Sequence, residues 1–126
     1  MIVLGVALGG ALGALCRYYA SLMLLPALQG TALAGYPLAT VLVNVSGSFL
    51  LSLLLFQELF TIPPALRAAV GTGFIGSFTT FSTFEFESDL LIRRDGWGIA
   101  STYIFANLLL GYMAILLGRW LVLRFN

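Results

Sequence analysis

The sequence predicts an all-α membrane protein of four transmembrane helices, with helix 3 broken near its centre, which pairs with a second copy as an antiparallel, dual-topology dimer. Three observations carry this expectation. First, 60% of the 126 residues are apolar and 9% are charged, and the mean hydropathy is +1.04. A soluble domain is about 45–50% apolar, and each membrane crossing needs about 20 apolar residues, so the chain has room for four helices and little else. Second, the stretch Gly71 to Phe84 reads G-T-G-F-I-G-S-F-T-T-F-S-T-F inside this apolar chain. Third, the arginines that set orientation nearly cancel between the two sides of the membrane. No soluble domain fits, and we expect residues 1–126 to form one four-helix transmembrane domain.

Helix 1 is expected from about residue 2 to residue 25, stopping at Pro26. It lacks a basic leader region and a small-residue cleavage pattern, so it reads as a retained span. Gly5, Gly9 and Gly13 recur every four residues, a stripe on which another helix can pack closely. Arg17 lies about 22 Å along this helix from Ile2, deep enough that it must either snorkel towards the Pro26 end or serve a buried structural or electrostatic role. The neighbouring Cys16 is the single cysteine, and there is no histidine, so neither a disulfide framework nor a His/Cys metal site is available.

Helix 2 is expected over about residues 37–60, with Pro37 at its first position. Thr40, Asn44, Ser48 and Ser52 fall four apart on one face. Such a stripe reads either as interhelical hydrogen bonding or, because a mid-membrane asparagine is costly, as the wall of a polar pathway. Helix 3 is expected over about residues 64–94, opened by Pro63 and Pro64 and closed by Arg93-Arg94-Asp95-Gly96. About 30 residues are too many for one straight crossing, so interruption near Gly76 to Thr80 is predicted, where glycine weakens a helix and Thr and Ser compete for its backbone. Helix 4 is expected over about residues 97–124, bounded by Trp97 at one interface and by Arg119, Trp120 and Arg124 at the other. Tyr103, Asn107 and Gly111 repeat the four-residue spacing, and Tyr103 reads as either a belt residue or a lining one.

Four crossings place Arg67, Arg119 and Arg124 opposite Arg93 and Arg94, which is little instruction about insertion. Four helices also leave little material to enclose a pathway. A dimer with a two-fold axis in the membrane plane follows, the two-chain form of an inverted repeat. It brings two copies of the helix 3 break together at the midplane. Opposed breaks offer neutral backbone carbonyls suited to a hard cation such as sodium. Phe81 and Phe84 present ring edges, the positive rim of the aromatic quadrupole, on one side of the chain. With donors from Asn44, Thr83 and Tyr103, that surface leans towards a small anion that accepts hydrogen bonds strongly. The same phenylalanines also read as plain core.

T-T-F-S-T-F at Thr79 to Phe84, preceded by G-F-I-G at Gly73 to Gly76, resembles the signature of the Fluc (CrcB) fluoride channels. The Gly13 to Arg17 run, Asn44 and the four-helix length agree with it over nearly the whole chain. The resemblance implies an antiparallel homodimer in the plasma (inner) membrane, with two fluoride pores and a structural sodium ion at its centre. It implies sodium-binding carbonyls at Gly76 and Thr79, a fluoride-contacting pair at Phe81 and Phe84, a donor at Asn44 and a pore tyrosine at Tyr103. Thr83, Ser48 and Asn107 join that pathway, Glu87 matches an acid shortly after the second phenylalanine, and Arg17 supports the assembly or attracts anions at a vestibule.

Two departures stand out: Glu85 follows Phe84 where small polar residues are usual, so it must point away, be neutralised or slow conduction; and Asn107 and Gly111 stand where serines are common. The implied function is passive fluoride export driven by the membrane potential, conferring fluoride resistance. A small dual-topology multidrug or cation exporter is the main alternative, but helix 1 has Arg17 and no carboxylate to exchange protons. No enzyme chemistry is expected, since the chain has no histidine base, and no nucleic-acid partner is expected at a net charge of +1.

Overall fold

The structure, a computed structural model, describes residues 1–31, 33–57 and 61–125, and within these every regular element is helical. In chain order they are α1 (Ile2–Leu28), α2 (Leu38–Phe56), α3 (residues 64–78), α4 (Phe81–Asp95) and α5 (Trp97–Phe125). Three of them, α1, α2 and α5, are long and apolar enough to cross a membrane. Between α3 and α4, Thr79 and Thr80 are extended, with φ/ψ of −77/159° and −150/123°, so the predicted interruption falls at these two residues.

The helix ends differ from expectation in two places. Helix 1 does not stop at Pro26 but runs to Leu28, because a proline so near a helix end removes only one internal hydrogen bond, and the chain closes with Gln29 N donating to Pro26 O at 3.3 Å. Helix 2 starts at Leu38, with Pro37 just outside it, and ends at Phe56, where Gln57 turns extended to lead the chain back towards α3. Residues 58–60, to which the helix was expected to reach, lie outside the described residues. Two stretches wind as wider π turns, Ala69–Ile75 within α3 and Ala106–Leu110 within α5.

The glycines of α1 find their partner inside the same chain. A Cβ at Gly9 would overlap the carbonyl oxygen of Ala69, and one at Gly13 that of Phe74, so α1 lies backbone against backbone on α3. Without a hydrophobic force between helices in lipid, this close approach is what dispersion needs to hold them. The polar face of α2 turns inward as its spacing predicts: Thr40 and Ser52 are buried, Asn44 and Ser48 half-buried. Ser52 Oγ donates to Ile115 O at 2.7 Å, joining α2 to α5. Val41, Phe84, Leu91, Ala100 and Tyr103 form a core cluster among α2, α4 and α5. Gly96, at φ +82°, ends α4, and Arg94 donates to Gly35 O at 2.9 Å to tie the α1–α2 loop to that end. Much of the outer surface is apolar, including Leu8, Leu12, Leu15, Phe105 and Leu109, as a lipid-facing surface requires.

Candidate functional site

The extended residues Thr79 and Thr80 interrupt the helical hydrogen-bond ladder, and in a low-dielectric setting every freed group needs a partner. Asn44 of α2 supplies two of them to one residue: its Oδ1 accepts from Thr80 N at 2.8 Å and its Nδ2 donates to Thr80 O at 3.1 Å. The second N–H of Asn44 reaches Asn107 Oδ1 at 2.9 Å, and Asn107 Nδ2 donates to Tyr103 O at 3.1 Å. Thr80 also caps α4, its hydroxyl accepting from Thr83 N at 3.3 Å. Thr79 folds back on the end of α3, with both its N and its Oγ1 donating to Ile75 O at 3.0 Å.

These bonds divert the two N–H groups that an unbroken helix would aim at the carbonyls of Gly76 and Thr79. The Thr80 N–H goes to Asn44 and the Thr83 N–H to the Thr80 hydroxyl. Gly76 is exposed and Thr79 half-buried, and both border a groove of about 270 Å³. Two neutral oxygens relieved of their helical donors suit a hard monovalent cation. Among the described residues no cluster of three or more His, Cys, Asp or Glu side chains offers a metal site of the charged kind.

The same groove is lined by Asn44, Ser48, Phe81, Phe84 and Asn107. Phe84 is buried at 7% exposure, whereas Phe81 is 66% exposed; their ring centres are 5.7 Å apart and tilted by 50°. Phe84 in turn meets the Tyr103 ring at 5.6 Å. Gly47 lets this wall form, because any Cβ there would collide with the Thr79 methyl.

A second cleft of about 230 Å³ is lined by Arg17, Tyr18, Thr83 and Glu87, and Thr80 borders both spaces. Among the described residues Arg17 forms no ion pair. Glu87 accepts from the Tyr103 hydroxyl at 2.6 Å. This cleft shares Ser21, Thr40 and Glu87 with a larger one of about 390 Å³ that reaches Arg94 and the α1–α2 loop.

Of the residues singled out from sequence, Asn44, Ser48, Phe81, Phe84, Asn107, Gly76 and Thr79 therefore share one groove, while Thr83, Arg17 and Glu87 share the next cleft. Tyr103 borders neither; it is fully buried between Phe84 and Glu87. Glu85 is exposed and borders none of the three spaces. The sequence reading took Thr80 only as the end of the predicted break, although a threonine directly before a helical run is a recognisable cap signal. The side-chain link from Tyr103 to Glu87, 16 residues apart on different helices, has no such signal.

Over residues 4–119 the chain matches the family described as CrcB-like protein, Camphor Resistance (CrcB). It is 46% identical to the Fluoride-specific ion channel FluC of Deinococcus radiodurans, over 96% of this chain and 94% of that one. It is 44% identical to the protein of the same name from Saccharophagus degradans, over 89% and 82% of the two chains. With the Fluoride-specific ion channel FluC 2 of Geobacillus kaustophilus it shares 42% identity over 90% and 87%.

Proposed function

This chain belongs to the CrcB family, and from that premise we propose that it is a fluoride-selective ion channel, through which the membrane potential drives fluoride passively out of the cytoplasm. The observation that carries the reading is the groove beside the helix break. It joins the ring pair Phe81 and Phe84 to the carboxamides of Asn44 and Asn107 in an apolar frame, and relatives similar over nearly the whole chain are named for fluoride. Fluoride is small and strongly hydrated, so a selective path must replace its water with hydrogen-bond donors and positive ring edges.

In this reading α3 and α4 together make a fourth crossing, and two copies assemble antiparallel in the plasma (inner) membrane. The 66% exposure of Phe81 supports a partner surface there. Fluoride passes Asn44, Ser48, Phe81 and Phe84, with Asn107 in the wall beside Asn44, Thr83 further along the route and Tyr103 buried beside Phe84. Arg17 draws anions to the second cleft, and Glu87 fixes the Tyr103 hydroxyl. Gly76 and Thr79 from two chains hold a structural sodium ion, which offsets repulsion between anions on either side. Glu85 stands apart from the path. Nothing in this scheme is covalent, so no residue has a catalytic role. An exporter that exchanges protons for cations would need a carboxylate within α1, where Arg17 is the only charged residue.

The test is efflux from liposomes containing the purified protein, with fluoride compared against chloride under a potassium-diffusion potential. Fast fluoride release without chloride release is expected. Silence for both anions, also after co-expression with a homologous chain, would refute the channel.

A further inference from the structure

We infer that Asn107 governs which anion reaches Asn44, by holding the second Asn44 N–H until a stronger acceptor takes it away. The inference rests on the channel reading above and concerns how the same groove discriminates among anions.

A carboxamide has two N–H donors and one oxygen. In Asn44 all three are engaged: Oδ1 with Thr80 N, one N–H with Thr80 O and the other with Asn107 Oδ1. Opening either bond to Thr80 would loosen the backbone of the break itself, and the Thr80 N–H would be left without a partner. The bond to Asn107 joins two side chains and can open while the break keeps its geometry. It is therefore the donor available for exchange.

Asn107 is oriented for this part. Its Nδ2 donates to Tyr103 O at 3.1 Å, which points its oxygen at Asn44. It sits within the π segment Ala106–Leu110, a kind of turn that recurs at functional sites. Both carboxamides belong to residues that border the groove lined by Phe81 and Phe84.

A donor parked on an amide oxygen selects for acceptor strength. Hydrogen bonds to an ionised acceptor are about twice as strong as neutral ones. Fluoride, the most compact halide and the best acceptor among them, displaces the amide oxygen. Chloride, larger and weaker, leaves the Asn44–Asn107 bond closed. Discrimination then comes from a competing interaction inside the free protein as well as from contacts to the favoured ion. Asn107 is, on this account, a specificity-determining residue that acts through Asn44.

The experiment measures fluoride and chloride efflux from liposomes for the wild type, Asn107→Ala and Asn107→Asp, and the dimer is checked by size-exclusion chromatography. Alanine removes the competing oxygen, so chloride efflux relative to fluoride should rise about tenfold. Aspartate offers a charged and stronger competitor, so fluoride efflux should fall about tenfold or more. A wild-type chloride-to-fluoride ratio in Asn107→Ala would overturn the inference. So would loss of fluoride efflux from an intact Asn107→Ala dimer, which would make Asn107 a required ligand.

A second arm needs no variant. In ¹⁵N-labelled wild-type protein in nanodiscs, fluoride should move the side-chain amide resonances of Asn44 and Asn107 together, and equal chloride should leave them in place. A stationary Asn44, or equal movement with chloride, overturns the proposal. Wild-type fluoride efflux with unaltered variant selectivity refutes this inference alone, whereas absent wild-type efflux refutes the channel reading as well.

Discussion

Replacing Asn44 by valine tests whether one side chain holds the helix break together. Two of the three hydrogen bonds of Asn44 go to Thr80, whose N–H has no helical alternative while the chain is extended, whereas its C=O, at the N-cap, also accepts the first bond of α4. Valine has a comparable volume and no polar atom, so the Thr80 N–H and Asn107 Oδ1 lose their partners in one step. A buried group left unsatisfied costs about 1–3 kcal/mol, which sets a range of about 2–6 kcal/mol for the pair. Thr80 borders a groove of about 270 Å³, large enough for water to take up part of the deficit. The lower half of the range, about 2–4 kcal/mol, is therefore the expected loss. By the size scaling of unfolding entropy, this lowers the melting temperature in detergent by about 10 °C. Fluoride efflux should fall with it, because Thr79 and Phe81 flank the loosened residue. Asn44→Asp keeps an acceptor for Thr80 N but sets an oxygen against Thr80 O and Asn107 Oδ1, so it should not rescue. Melting of Asn44→Val within about 2 °C of the wild type, with full efflux, would refute the clamp.

Three further substitutions probe the surrounding parts. Gly13→Leu places side-chain atoms where the Phe74 carbonyl lies, so α1 cannot seat on α3; a loss of about 3 kcal/mol is expected as a lower melting temperature, and an unchanged one would mean that α1 docks elsewhere. Thr80→Ala removes the cap of α4 at a cost of about 1 kcal/mol, most of which Thr80→Asn should restore, since asparagine caps as well as threonine; equal melting of the two variants would remove capping from the account. Phe81→Ile keeps the bulk of a largely exposed side chain but loses its ring edge, so fluoride efflux should drop severely while the dimer stays intact on size-exclusion chromatography. Unchanged efflux would take Phe81 out of the mechanism.

The site was legible in part because its residues crowd into one short motif. Gly76 to Phe84 carries the break, the two carbonyls relieved of their helical donors and the Phe81–Phe84 pair within nine positions, and composition alone points to a helix that fails there. The α2 stripe was equally readable, because a four-residue spacing puts Thr40, Asn44, Ser48 and Ser52 on one face whatever the helix packs against. The π segments were not readable. Their wider turns shift the face that each residue presents, and they depend on neighbouring helices more than on local propensity. The end of α2 at Phe56 was missed although Gln57 and Glu58 follow it directly, because the sequence turns apolar again at Leu59 and Phe60.

What the sequence determined by itself is the solvent and the secondary structure. A chain with 60% apolar residues has to satisfy its backbone internally in lipid, and helices do so without reference to any partner. What only the tertiary structure decided is the use of each polar group. Asn44 clamps Thr80 and is itself held by Asn107, 63 positions away; Tyr103 lies buried against Glu87; Thr80 borders two clefts. Hydrogen bonds act over about 3 Å, and groups on different helices come within that range only after packing has set the depth and rotation of each helix.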